Sequence, residues 1–207
     1  MIYFLGGPPR VGKSIIAKTI TRKYSINVVS TDSLGAVLEN VVDPELEPGL
    51  FIVNRFNAMC VEDRIDLMVK NTTERINYQI EENRAVWKAV EPFVQRERDE
   101  GRDVLVEGVA ILPELVNQLE NVDFRVVFIG NQGNEHKENI KRSAQEIGHD
   151  WMQDASDKYV EAFAVFVMEM SRYIEREAHM YGFNYIEISG RPFDEAVCQV
   201  VDSLLER

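Results

Sequence analysis

The residues Gly7-Pro8-Pro9-Arg10-Val11-Gly12-Lys13-Ser14 satisfy the pattern G-x-x-x-x-G-K-[ST], and they begin just after the apolar segment Ile2-Tyr3-Phe4-Leu5. The chemistry of that spacing is polyphosphate binding. Glycine permits a tight turn from strand to helix, so successive backbone N–H groups and the helix N-terminus converge on phosphate oxygens. Lys13 then reaches the outer phosphates, and the Ser14 hydroxyl meets a magnesium ion that bridges them. Pro8 and Pro9 have no amide hydrogen to donate. The cradle is therefore expected to rely on the amides of Arg10, Val11, Gly12, Lys13 and Ser14, with Gly7 and Pro9 completing the contacting set.

Two acids stand where such a loop could use them. The run Val28-Val29-Ser30-Thr31-Asp32 places a carboxylate at the C-terminal edge of an apolar strand, where open α/β sheets bind ligands. Asp32 is a candidate base, able to orient an attacking hydroxyl and accept its proton. The competing reading is a helix cap, with Asp32 or Ser33 as the capping residue. Downstream, Asp103-Val104-Leu105-Val106-Glu107-Gly108 is an apolar strand that ends in an acid and a glycine. Glu107 can hold magnesium through a water or bind an acceptor, and the two roles stay open.

The elements that must position these residues are legible as alternating patterns. Short apolar runs predict strands at Ile2 to Leu5, Ile26 to Ser30, Val104 to Val106, Phe124 to Ile129 and Asn184 to Ile188, interleaved with segments of helical period. That alternation predicts an α/β fold with a parallel sheet flanked by helices. Helices are expected from about Lys13 to Lys23 and from Asp32 to about Asn40. Ala58, Val61, Ile65 and Met68 then keep helical spacing, as do Ile76, Ile80, Trp87, Val90 and Val94. Pro92 should start, kink or interrupt the latter element, and Gly101 should stop it. Tyr159, Phe163, Phe166, Met170 and Ile174 form a core stripe on a helix from about Ala155 to His179.

Composition narrows the partners. The 207 residues carry a formal net charge of −12 and contain no long basic tract, which argues against nucleic acid or an anionic membrane as a partner. No apolar run approaches the roughly 18 residues of a membrane span, and the first strand is too short for a signal-peptide core. A single cytoplasmic domain over residues 1–207 is expected. Cys60 and Cys198 lack metal or CxxC spacing, so two reduced, partly buried thiols are expected.

Four segments, in order, carry a resemblance: Gly6 to Ser14, Val-Ser-Thr-Asp at 29–32, Val-Glu-Gly-Val at 106–109, and Glu-His-Lys…Lys-Arg at 135–142. On them the chain resembles the P-loop small-molecule kinases, with adenylate, shikimate, gluconate and uridine kinases as broad relatives, and is most similar to 2-phosphoglycerate kinases. The resemblance implies a three-layer fold with a five-stranded parallel sheet of order 2-3-1-4-5, a helical acceptor-side insertion at 31–103 and a lid at 131–155. It implies transfer of the γ-phosphoryl group of Mg-ATP to a hydroxyl or phosphate of a small-molecule acceptor. Lys13, Asp32 and Arg142 are the catalytic candidates; Thr31, Lys141 and Arg191 join the loop residues as nucleotide-binding candidates, and Ser14 and Glu107 as magnesium candidates. Arg142 is the first choice for the lid cation, although Lys137, Lys141 and Arg142 also read as a charged solvent-facing helix. Arg55, Arg64, Arg75 and Arg84 could fork onto an anionic acceptor or pair with neighbouring glutamates. The loop Ser189 to Pro192 could pack beside an adenine ring.

The lid lacks the closely spaced arginine pair of nucleotide kinases, and region 31–103 matches no acceptor motif. No Asn-Lys-x-Asp follows the fourth strand, which argues against a guanine-specific GTPase. The alternatives are a nucleoside or nucleotide kinase and a nucleotide-binding ATPase switch without a small acceptor. The apolar helical insertion could hold a homodimer interface.

Overall fold

Three strands with nearly unbroken apolar runs, Ile2–Gly6 (β1), Val104–Gly108 (β3) and Phe124–Gly130 (β4), form the centre of the sheet. Such runs suit strands covered on both faces. Asn27–Ser30 (β2) and Asn184–Glu187 (β5) form its edges, and the order is β2-β3-β1-β4-β5 with all pairs parallel. The computed structural model describes residues 1–146 and 150–205; residues 147–149 of the expected lid and the last two residues of the expected domain lie outside them.

Helices Lys13–Tyr24 (α1) and Phe193–Leu205 (α9) pack together against one face. Thr72–Asp99 (α5) and Asp157–Met180 (α8) pack together against the other. Phe4 of β1 meets Trp87 of α5 with ring centroids 6.0 Å apart. The stripe expected on α8 is buried throughout, with Phe166 and Ile174 fully enclosed. The insertion between β2 and β3 is helical, made of Thr31–Val41 (α2), a 3₁₀ turn at Pro48–Phe51, Ile52–Asn57 (α3), Val61–Val69 (α4) and α5. The remaining helices are Pro113–Asn117 (α6) and His136–Glu146 (α7).

Several expectations are corrected. α5 continues through Pro92 without a break. Pro92 sits on an exposed part of the helix, where water can satisfy the carbonyl that loses its partner. Gly101 does end the element, with φ +65 just past the cap at Glu100. The cap of α2 is Ser30, whose hydroxyl accepts from the Asp32 N–H at 3.2 Å; neither Asp32 nor Ser33 caps it. Ala58 ends α3 instead of opening the next helix, and Cys60 caps α4. Cys60 and Cys198 are free, as expected, but both are exposed, since one caps a helix start and the other lies on the outer side of α9. No described helix is long and apolar enough to cross a membrane.

Candidate active site

The turn after β1 takes conformations that demand small residues. Gly7 has φ +152, and a Cβ there would meet the Ile129 carbonyl oxygen at 2.3 Å; Gly12 has φ +88, and its Cβ would meet the Phe193 ring at 2.5 Å. Arg10 adopts φ +66, a left-handed geometry few non-glycine residues take. Its guanidinium is ion-paired with Asp150, lies 3.4 Å from the Ser143 hydroxyl and stacks over the Trp151 ring. Among the described residues, the amides of Arg10 to Ser14 donate to no protein acceptor; the first intrahelical bonds close from Ile15 and Ile16 back to Gly12. Five convergent, unspent N–H groups in one turn fit a polyphosphate.

Lys13 is buried, and its ammonium donates to the Pro8 carbonyl at 2.7 Å. Burial lowers its pKa from 10.5 to about 8, while the carboxylates of Glu107 and Asp32 pull the other way. The Ser14 hydroxyl donates to Glu107 Oε1 at 3.1 Å. Glu107 is 5% exposed; burial pushes its carboxyl up, opposed by the Lys13 ammonium and by the Ser14 and Ser30 hydroxyls. A hydroxyl and a carboxylate in contact beside the phosphate turn are a donor set that suits magnesium. The ion would supply charge neutralisation and orientation of phosphate oxygens.

Asp32 is exposed, and its carboxylate makes no hydrogen bond or ion pair among the described residues. It borders a pocket of about 230 Å³ together with Glu39, Asn54, Glu82 and Asn83, and the lining contains no lysine or arginine. Burial raises the Glu82 carboxyl to about 7. Thr31 points elsewhere than expected. Its hydroxyl lies 3.5 Å from the Ala110 N–H, and it fills the space beside Gly108, where a Cβ would stand 1.8 Å from it. Thr31 is 1% exposed, so it locks α2 to the end of β3 and is removed from the nucleotide face.

A second, larger cleft of about 590 Å³ opens on the other side of the phosphate turn. Arg10, Val11, Gly12, Arg142, Arg191 and Phe193 are among its walls. Arg142 is exposed there and bonded to Asn139 Oδ1. Arg191 is held by the Glu187 carbonyl and Gln199. Lys141 does not line the cleft; it pairs with Asp157, as Lys137 pairs with Glu161, so both cations fasten α7 to α8. Helical spacing brought 137 and 141 onto one face, and that face is turned to acids.

The insertion arginines do not gather at the acceptor side. Arg84 makes a two-pronged pair with Glu114, and Arg55 reaches the Pro48 carbonyl. Arg64 lies over Tyr159. Arg75 is sandwiched between Phe56 and Phe166 at 4.4 and 4.3 Å, leaving Nε and NH1 facing ring surfaces instead of oxygens. Sequence reasoning gave Glu82, Asn131 and His136 no role at the site, because burial beside a cavity leaves no mark in a linear pattern.

No protein-family model matches the chain. A 2-phosphoglycerate kinase of Methanothermobacter thermautotrophicus is 26% identical over 200 residues, 90% of this chain and 60% of that protein. Another of the same name from Pyrococcus horikoshii is 23% identical, covering 100% of this chain and 65% of its own length. The chain thus spans less than two thirds of these relatives. A shikimate kinase structure from Bacteroides thetaiotaomicron superposes with a TM-score of 0.50 at 14% identity, over 98% of this chain and 97% of that one. The fold is that of the P-loop kinases.

Proposed function

We propose that the chain is an ATP-dependent small-molecule kinase, acting in the cytoplasm, that transfers the γ-phosphoryl group of Mg-ATP to an acceptor hydroxyl. The observation that carries this is a sequence of groups along one sheet edge. Free amides and a buried ammonium serve phosphates, the Ser14–Glu107 contact serves magnesium, and an uncommitted carboxylate, Asp32, opens onto a separate pocket. Asp32 orients the acceptor hydroxyl and takes its proton as the new bond forms. Lys13 and Arg142 stabilise charge on the transferring group. Replacing Asp32 with Asn should leave ATP binding nearly intact and lower turnover by about 10²-fold or more. Unchanged turnover would sink that assignment.

The first acceptor to test is 2-phosphoglycerate, after the name shared by the sequence relatives. A second reading rests on the pocket itself. Asp32, Glu39 and Glu82 in a lining without lysine or arginine favour an uncharged hydroxylated acceptor, such as a nucleoside, over an anion. Thermal shift with saturating Mg-ATP separates them, since only a bound acceptor raises the melting temperature further.

A further inference from the structure

His136 opens α7 and lines the larger cleft, yet it is only 2% exposed, and neither Nδ1 nor Nε2 has a hydrogen-bond partner. Leaving a buried polar atom unpaired costs about 1–3 kcal/mol, so a histidine of no use at this position would be replaced advantageously by an apolar residue. Burial lowers its pKa to about 4, against the carboxylates of Glu135 and Glu187. The ring is therefore neutral at physiological pH, with one N–H donor and one lone pair to offer.

The rest of the cleft says what kind of group would use them. Ile188, Pro192 and Phe193 supply apolar walls. The two loops that bear the walls are fixed to one another. Glu187 Oε1 accepts from the Gln132 and Ser189 N–H groups, and Glu135 Oε1 accepts from the Gly190 N–H. The phosphate turn closes the near end through Arg10, Val11 and Gly12. A flat heterocycle with apolar faces and a hydrogen-bonding edge, attached to a polyphosphate, matches this arrangement.

Resting on the proposed use of ATP as donor, whose base falls in this cleft when its phosphates occupy the adjoining turn, we infer that His136 is the residue that reads the base edge of the nucleoside triphosphate. Its imidazole forms the hydrogen bond that separates a nucleotide from a bare polyphosphate.

The test compares binding of ATP and of tripolyphosphate, both with magnesium, by calorimetry on the wild-type chain and on His136→Phe, His136→Asn and His136→Gln. The phenylalanine variant keeps the ring and removes both polar atoms. It should weaken ATP about tenfold, the worth of one well-placed hydrogen bond, and leave tripolyphosphate within about twofold. Its melting temperature without ligand should match or exceed that of the wild type, because two orphaned atoms are gone. Asparagine keeps a polar atom near the Nδ1 place and glutamine near the Nε2 place, so one of them should recover ATP affinity. Equal ATP affinity in wild type and His136→Phe, or equal losses for ATP and tripolyphosphate, would overturn the inference. Wild-type protein that binds tripolyphosphate as tightly as ATP also overturns it while leaving the phosphate cradle standing. Binding of neither removes the donor-site reading along with it.

Discussion

Raising the pH from 8 to 10 should strip nucleotide from this protein through a single side chain. Lys13 is buried with its ammonium against the Pro8 carbonyl, and its pKa falls from 10.5 to about 8. Above pH 8 the ligand-free protein holds Lys13 largely neutral, whereas a bound triphosphate requires the charged form. From the half-titrated point at pH 8, the cost approaches tenfold in affinity per pH unit, so the rise to pH 10 amounts to about 50-fold, or about 2.3 kcal/mol at 1.36 kcal/mol per tenfold. The stability of the ligand-free chain moves the other way. Between about pH 8 and 10.5 the unfolded chain binds the lysine proton and the folded chain does not, so Lys13 makes folding more favourable as pH rises through that window. Calorimetry at pH 9 in two buffers of different ionisation heat counts the protons: about one taken up per nucleotide in the wild type. Lys13→Arg, whose guanidinium stays charged, should take up none. A flat affinity from pH 8 to 10 with no proton uptake in the wild type would refute the reasoning.

Glu107→Gln should leave the melting temperature within a few degrees and raise the magnesium concentration needed for half-maximal activity about tenfold, because one charged ligand is lost; an unchanged magnesium titration removes Glu107 from the metal site. Gly108→Ala should destabilise by about 3 kcal/mol or more, since its Cβ would stand 1.8 Å from the Thr31 hydroxyl at φ +149; urea unfolding measures it, and a loss under about 1 kcal/mol contradicts the packing. Arg84→Ala removes a pair whose arginine is 55% exposed, so it should cost less than about 1 kcal/mol and leave the acceptor KM unchanged. A large rise in that KM would return Arg84 to the acceptor site.

The strands were readable because β1, β3 and β4 are buried on both faces and advertise it as apolar runs. The phosphate turn was readable because its glycines answer to local backbone geometry, as Gly7 and Gly12 do. Side-chain destinations were less so. Arg75 and Arg84 look alike in sequence, yet one ends between two aromatic rings and the other on Glu114, partners set by packing from distant segments. Ser30, two residues upstream, takes the place of Asp32 as the cap of α2, and that leaves the Asp32 carboxylate free. His136 is legible in sequence only as the middle of Glu-His-Lys at 135–137, and its enclosure comes from walls that distant segments supply.

The sheet register pairs Leu5 with Glu107 and Glu107 with Ser30. The strands thereby act as a ruler for the site. The acid that meets Ser14 is positioned by a ladder of backbone bonds running back to Asn27 and Ile2, not by the loop around it. Because side chains alternate faces along a strand, slipping β3 by one residue would turn Glu107 to the opposite layer. Misalignment at this place is therefore all or nothing. A chain with this sheet correctly paired carries the acid in position before any ligand arrives, and damage far down β3 is felt at the phosphate turn as outright loss.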